Sequence, residues 1–157
     1  MERLHKDYVD FYLLHALDRA KFEKVKALGI VPYLEEMRAA GKIRYLGFSF
    51  HDDYEVFEEI LNYYPWDFCQ IQLNYMDTEI QAGMKGYDLA EEKGIPVIVM
   101  EPVKGGMLAS LPTEIEEQLT KERETGKYCI VGASICRNTS ECKSHLKRYE
   151  YDGTSGR

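Results

Sequence analysis

Polar side chains stand at or near the ends of three β-like runs in the 157-residue chain. His15 follows "DFYLL", which has the composition of a buried strand, Ser49 lies near the end of "IRYLGFSF", and Gln70 lies in "FCQIQLN". In parallel-sheet proteins, the carboxyl ends of strands are where ligands meet side chains. A histidine can donate a hydrogen bond near neutral pH, and a glutamine amide donates and accepts at once. These residues form a candidate site if the surrounding elements bring the strand ends together.

The same residues also have an ordinary structural interpretation. A histidine at a strand end can donate to a neighbouring backbone carbonyl. Gln70, Gln72 and Asn74 fall on one face of their strand, because strand side chains alternate, and could form a polar network there. The choice between the two interpretations depends on whether the rest of the chain repeats the same plan.

Short β-rich runs alternate with amphipathic helical segments along the whole chain. Pro32 is typical of a helix start, and Gly41 of the residue that follows a helix end. Asp52 or Asp53 is the expected N-cap of the next helix, and Ile80 is expected on the inward face of the helix after it. The alternation predicts five parallel strands joined by right-handed crossovers, near residues 8–14, 43–49, 68–73, 96–101 and 128–132.

Composition argues against several classes of function. The chain has 27 acidic and 20 basic residues and a formal charge of -7, so we expect no nucleic-acid partner. No apolar run approaches the roughly 20 residues that span a bilayer, and the first ten residues lack a signal-peptide core. We therefore expect no membrane partner and a cytoplasmic location. The four cysteines lack the paired spacing of a zinc or redox motif, so we expect reduced thiols and no metal site.

Two architectures accommodate such a series, an open doubly wound sheet and part of a (β/α)8 barrel. A doubly wound dinucleotide-binding domain carries G-x-G-x-x-G after a strand, and the chain has no such run. This absence favours an α/β fold with about five strand-helix units of a partial (β/α)8 TIM barrel. We expect it to occupy residues 1–150, followed by a disordered tail at residues 151–157.

Four segments, in order and at consistent spacing, strengthen the barrel interpretation: "DYVDFYLLHAL", "AGKIRYLGFSFH", "DFCQIQLNYMD" and "GIPVIVMEPVKGGMLASLP". They resemble the middle and later strands of the aldo/keto reductases, and most closely the branch that includes iron-sulfur-associated members. The resemblance is strong over about residues 1–119 and weaker beyond. For the full-length family, it implies reduction of a small carbonyl substrate with NADPH or NADH.

The resemblance also implies roles for the strand-end residues. His15 matches the histidine that lies beside the substrate carbonyl, so it is the expected catalytic residue. Ser49 and Gln70 match residues that bind the nicotinamide carboxamide. Met100 falls where many members carry a tyrosine stacked on the nicotinamide ring, and a thioether can still contact an aromatic face.

Two further groups are implied at the phosphate end of the cofactor. Lys104, Gly105 and Gly106 match the loop near the pyrophosphate, where glycine lets backbone N–H groups approach and lysine adds positive charge. Three residues of a later segment could surround the adenosine 2′-phosphate of NADP: Ser134, Arg137 and Asn138. Their spacing is longer than the family's usual motif, so NAD and a plain solvated loop stay open there.

In the family, the catalytic aspartate, tyrosine and lysine come from earlier strands than those that the resemblance covers, and a full barrel needs about 250 residues. We therefore interpret the chain as a fragment that we expect to be inactive as an isolated species, with weak cofactor affinity or none. Open sheet edges predict self-association. Two alternatives stay open: a non-catalytic half-barrel that acts as a binding or assembly module, and an unrelated TIM-barrel lyase or hydrolase.

Overall fold

A computed structural model describes residues 5–109, which contain a four-stranded parallel sheet. The strands are neighbours in chain order: β1 (Val9–Leu17), β2 (Ile43–Phe50), β3 (Phe68–Gln72) and β4 (Val97–Met100). All three pairings between them are parallel. The first four predicted strands are therefore confirmed, and the fifth, near residues 128–132, lies outside the described residues.

Helices connect the strands, as parallel pairing requires. β1 and β2 are joined by α1 (Arg19–Ala27) and α2 (Ile30–Ala39), β2 and β3 by α3 (Tyr54–Tyr63), and β3 and β4 by α4 (Gly83–Glu92). A short 3-10 helix (Lys104–Ala109) follows β4.

The chain divides into two compact units. The first comprises Met1–Leu73 and Asp77–Met100, and it holds the whole described sheet. The second comprises Asn74–Met76 and Glu101–Arg157, and its described part holds the 3-10 helix. The candidate residues of the strands therefore belong to the first unit, and the glycine-rich loop after β4 belongs to the second.

One face of the sheet is buried under the helices. Leu46, Phe48 and Phe50 alternate along β2 on this face and are fully buried. The ring of Phe57 from α3 packs against the rings of Phe48 and Phe50, with centroids 5.9 Å and 5.2 Å away. Fully burying a side chain of this size contributes roughly 1.5–3 kcal/mol, so this layer supplies the hydrophobic core of the first unit.

The opposite face of the sheet, called the site face below, carries Phe11, Tyr45, Ser49 and Gln70. Two of its aromatic side chains are exposed, Phe11 to 56% and Tyr45 to 46%. The prediction that the first strand is buried is therefore wrong, because most of β1 is exposed or only half-buried. The helices cover only one face of the sheet, so Phe11 and Tyr45 on the other face are left accessible.

The N-terminal ends of α1 and α3 differ from the sequence-based prediction in which side chains bond the backbone. Asp53 is the N-cap of α3 as expected, but its side chain makes no capping hydrogen bond. Asp52 instead accepts from the backbone N–H groups of Arg19 and Asp53, at 2.7 Å and 2.9 Å. Helix α1 itself was not predicted, although Asp18 caps it by accepting from the N–H of Lys21 at 2.8 Å.

The ends of α2 follow the expected signals, and the start of α4 does not. Pro32 lies in the first turn of α2, and Gly41 follows its end with a φ of +73°, which glycine adopts without strain. Ile80 is 49% exposed, so its predicted inward position is wrong. The reason is that α4 begins only at Gly83, and Ile80 lies in the irregular segment before it.

Candidate active site

β1 departs from regular pairing where His15 stands. The register between β1 and β2 shifts between Leu14 and Leu17, so β1 has one residue more than β2 in this interval. Ala16 has a φ of +52°, a left-handed conformation that is uncommon for a residue with a Cβ atom. Such bulges re-aim side chains and occur often beside active sites. Alternation from Phe11 and Leu13 would place His15 on the site face, the bulge begins in this interval, and the His15 side chain is exposed.

Ser49 connects the bulge to β2. Its Oγ accepts a hydrogen bond from the N–H of Ala16 at 2.6 Å, and the side chain is only 2% exposed. The carbonyl oxygen of Ala16 accepts from Nζ of Lys21 at 2.7 Å. Both backbone polar groups of the left-handed residue are therefore bonded, directly next to His15.

Gln70 lies beside Ser49 on the neighbouring strand. The two residues are register partners between β2 and β3, so their side chains leave the same face of the sheet. Gln70 is the middle residue of β3 and is half-buried. The register therefore makes Ser49 and Gln70 neighbours on adjacent strands.

Met100 ends β4 and is the register partner of Gln72. It lies one alternation step beyond the Ser49 and Gln70 pair, toward the carboxyl ends of the strands. Gln72 accepts a hydrogen bond through Oε1 from Nε2 of Gln81 at 3.2 Å, while Oε1 of Gln81 is buried without a partner among the described residues. Gln81 could not be found from the sequence, because no residue near it indicates that the irregular segment before α4 contacts β3.

An aromatic group lies on the amino-terminal side of these polar residues. The rings of Phe11 and Tyr45 stack with centroids 5.0 Å apart, and Phe11 meets Phe68 edge to face at 5.5 Å. Gly47 is the register partner of Phe68 and leaves room for its ring. The site face is therefore apolar toward the strand starts and polar toward the strand ends.

The glycine-rich loop of the second unit is a left-handed turn. Lys104, Gly105 and Gly106 have φ values of +50°, +61° and +96°. The N–H of Gly105 donates to Oε2 of Glu101 at 2.7 Å, and the N–H of Gly106 donates to the carbonyl oxygen of Val103 at 2.9 Å. The N–H groups expected to approach a pyrophosphate are thus bonded within the loop. A phosphate oxygen that accepted a hydrogen bond from the N–H of Gly105 would displace the carboxylate of Glu101.

Three of the predicted cofactor residues lie outside the described residues: Ser134, Arg137 and Asn138. Within residues 5–109, no group of three or more His, Cys, Asp or Glu side chains could hold a metal ion. None of the helices in that part of the chain is long and apolar enough to cross a membrane. Cys69 is a free thiol inside the core, where burial raises its pKa to about 12.

Comparison with known protein families identifies the family to which the chain belongs. The model of the aldo/keto reductase family matches residues 1–150. The chain belongs to the aldo/keto reductase family. No curated protein matches it.

Solved structures, two of them aldo-keto reductases by their descriptions, have a similar fold. A thermostable aldo-keto reductase, Tm1743, in complex with the inhibitor epalrestat matches 77% of the chain at 23% identity with a TM-score of 0.54. Gox0644 in its apo form matches 80% at 19% identity with a TM-score of 0.57. MGS-M4, an aldo-keto reductase from a Medee basin deep-sea metagenome library, matches 79% at 18% identity with a TM-score of 0.55. The chain spans 43% of each of these structures.

These matches confirm the predicted partial (β/α)8 barrel. Four parallel strands in chain order, with helices on one face, are the arrangement of consecutive barrel units. In a barrel, the face away from the helices is the interior, and the carboxyl ends of the strands form the rim that carries active sites. In this aldo/keto reductase chain, the site face is therefore interior surface, and the polar residues lie toward the rim.

The donor set at Ser49 and Gln70 fits a primary carboxamide such as that of nicotinamide. A serine hydroxyl can donate one hydrogen bond and accept two. Ser49 uses one acceptor position, which bonds the N–H of Ala16. Its O–H proton can still be donated to a carbonyl oxygen. The Gln70 amide can donate and accept, which complements the remaining amide group of such a ligand.

Proposed function

We propose that this chain supplies the nicotinamide-binding and carbonyl-orienting part of an NAD(P)H-dependent reductase of small carbonyl compounds. The observation that carries the proposal is the register pairing of Ser49 with Gln70, beside the bulge next to His15. Ser49 and Gln70 bind the carboxamide, and Met100, one step nearer the rim, contacts the nicotinamide ring. A cytoplasmic location belongs to the proposal, because a reducing compartment suits the buried free thiol of Cys69.

Carbonyl reduction needs a hydride on the carbon and a proton on the oxygen. A nicotinamide cofactor held there would supply the hydride, and His15 would orient the oxygen by donating a hydrogen bond to it. A general acid typically contributes roughly 10²–10⁴-fold to the rate. Burial is the main cause that raises the pKa of three described tyrosines, Tyr54, Tyr64 and Tyr75, which makes each a poorer proton donor near neutral pH. We therefore expect the 157-residue chain by itself to bind cofactor weakly and to turn over slowly at best.

Cofactor binding by the purified 157-residue chain tests the proposal. NADPH and NADH are titrated in separate experiments, and binding is followed by the fluorescence of the reduced nicotinamide. Gln70→Leu is expected to weaken binding roughly tenfold, because one polar group of the carboxamide loses its partner. Asn62→Leu removes an exposed amide from α3 and serves as the matched control. Absence of binding for both cofactors would contradict the proposal and favour the non-catalytic half-barrel.

The phosphate end of the cofactor is tested by two further variants. Glu101→Gln is expected to strengthen binding severalfold, because the carboxylate on the N–H of Gly105 repels a pyrophosphate and must leave. If Arg137 binds the 2′-phosphate, Arg137→Met lowers the affinity for NADPH and leaves that for NADH unchanged. An equal loss for both cofactors removes Arg137 from the site.

Turnover separates the roles of the chain's own residues. The wild-type chain and His15→Ala are assayed for NADPH-dependent reduction of a reactive aldehyde. We expect little turnover from the wild-type chain, a further decrease in His15→Ala, and the same cofactor affinity in both. Robust turnover that disappears in His15→Ala would show that the chain holds its own proton donor, and the expectation of weak activity would be wrong.

A further inference from the structure

The backbone at Ala16 is held in a conformation that it would not choose by itself. A left-handed alanine lies in a sparsely populated region of backbone space and persists only where the surroundings determine it. The pairing from Val9 to Leu14 is regular and resumes at Leu17, so the irregularity lies between Leu14 and Leu17. His15 is the residue whose side-chain direction this interval sets.

Two side chains bond the polar groups of Ala16 from opposite directions. Ser49 Oγ, on β2, accepts from its N–H at 2.6 Å, and Lys21 Nζ, on α1, donates to its carbonyl oxygen at 2.7 Å. Ser49 is 2% exposed, so water cannot replace its oxygen easily. Asp18 holds Lys21 in place through an ion pair of 2.9 Å.

The junction after the bulge is tied to the same neighbour. The N–H of His51 donates to the carbonyl oxygen of Leu17 at 2.9 Å. The N–H of Arg19 donates to Oδ2 of Asp52 at 2.7 Å. These bonds fix the chain where it leaves β1, so the bulge cannot relax by sliding along β2.

We infer that Ser49 and Lys21 are positioning residues that clamp the β1 bulge and thereby set the direction of the His15 imidazole. Ser49 acts through its Oγ, which accepts a hydrogen bond from the N–H of Ala16. Lys21 contacts only the carbonyl side of the bulge and lies on a helix outside the barrel interior. The consequence for carbonyl reduction rests on the proposed function, whereas the positioning of His15 does not.

Nuclear magnetic resonance of the full 157-residue chain measures the clamp without any cofactor. The two readouts are hydrogen exchange at the Ala16 amide and the χ1 couplings of His15. Lys21→Met is expected to speed exchange at Ala16 roughly fivefold to tenfold, the ratio for one lost hydrogen bond. It is also expected to change the His15 couplings from those of one rotamer to an average over several. Lys24→Met, an exposed lysine on the same helix, is expected to change neither readout.

Variants of Ser49 test the other side of the clamp. Ser49→Ala removes the acceptor and is expected to produce the same averaging at His15, and Ser49→Thr keeps a hydroxyl and restores the wild-type couplings. If Ser49→Ala does not fold, Lys21→Met carries the test alone, because Lys21 is 51% exposed and lies outside the core. Unchanged exchange at Ala16 and unchanged His15 couplings in folded Lys21→Met would overturn the inference.

Cofactor titration distinguishes this inference from the proposed function. Lys21→Met is expected to bind NADPH with wild-type affinity and to reorient His15. A wild-type chain that binds no cofactor contradicts the proposed function, and the clamp is still judged by the His15 couplings. A Lys21→Met chain that loses cofactor affinity while His15 stays fixed contradicts the clamp.

Discussion

The substitution Gly47→Ala tests how closely β2 and β3 approach at the base of the candidate site. Gly47 is buried and is the register partner of Phe68. A Cβ atom at this position would lie 2.5 Å from the carbonyl oxygen of Phe68 and 2.7 Å from two carbons of its ring. Distances this short do not occur in folded proteins, so the surroundings must move.

The expected cost follows from which of these atoms can move. The ring of Phe68 can rotate away, although it then loses its edge-to-face contact with Phe11. The carbonyl oxygen belongs to the backbone of β3 and moves only if the strand moves. Overpacking typically costs about 1–3 kcal/mol, and the backbone contact places Gly47→Ala at the upper end, near 3 kcal/mol. For a chain of this size, that loss lowers Tm by roughly 6–12 °C.

Urea denaturation and thermal melting of the 157-residue chain measure the loss. Gly94→Ala is the control, because Gly94 has a φ of +67° and no atom within 4 Å of a built Cβ, so it reports backbone strain alone. The double variant Gly47→Ala/Phe68→Leu relieves the ring contact and leaves the carbonyl contact. We expect it to recover little stability. A Gly47→Ala chain as stable as wild type, or full recovery in the double variant, would refute the argument that the backbone contact dominates.

Three other predictions concern the packing around the sheet. Asp67→Ala is expected to lower stability by about 1–3 kcal/mol in urea denaturation, because the N–H of buried Leu46 loses its acceptor at 2.8 Å, whereas Asp67→Asn keeps an acceptor and loses less. Cys69 is expected to resist iodoacetamide at pH 8 in the native chain and to react in urea, since burial raises its pKa to about 12; native labelling in a peptide map would contradict its burial. Burial and the hydrogen bond to Glu35 raise the pKa of Tyr64, so its contribution to stability is present below its ordinary value of 10.0 and is lost as the pH rises above it. Tyr64→Phe is therefore expected to flatten the fall of Tm above pH 10.0, and an unchanged slope would count against this cause.

The strands could be predicted because their signal is local. Each of β2, β3 and β4 is a short apolar run between helical patterns, and every pairing needs a helical crossover to be parallel. The partners Ser49 and Gln70 follow from the same logic, because neighbouring parallel strands end at the same edge of a sheet. The resemblance to the aldo/keto reductases rests on these strand ends too, and the family match over residues 1–150 confirms it.

The bulge at Ala16 could not be predicted, because its cause is not in the local sequence. Alanine has no preference for a left-handed conformation, and no glycine or asparagine marks the position. The conformation depends on Ser49, which is 33 residues away in sequence, and on Lys21 in a helix that the hydrophobic pattern did not reveal. Only Phe22 is buried in α1, so this helix lacks the apolar stripe by which the other helices were found.

The two halves of the site face have different physical requirements. Toward the strand starts, the rings of Phe11 and Tyr45 stack at an exposed surface, although burial of such rings is favourable. In a complete barrel the same positions lie in the interior, where layers of side chains from all the strands fill the space. Toward the strand ends, the exposed His15 and the half-buried Gln70 need water or a ligand to complete their hydrogen bonds. We therefore expect that association with further barrel strands stabilises the aromatic half, whereas cofactor binding acts on the polar half.

Two variants separate these roles. Phe11→Ser should impair association and leave nicotinamide affinity unchanged. Gln70→Leu should weaken nicotinamide binding and leave association unchanged. Sedimentation velocity and cofactor titration of the two variants test this separation, and a parallel loss of both properties in either variant would refute it.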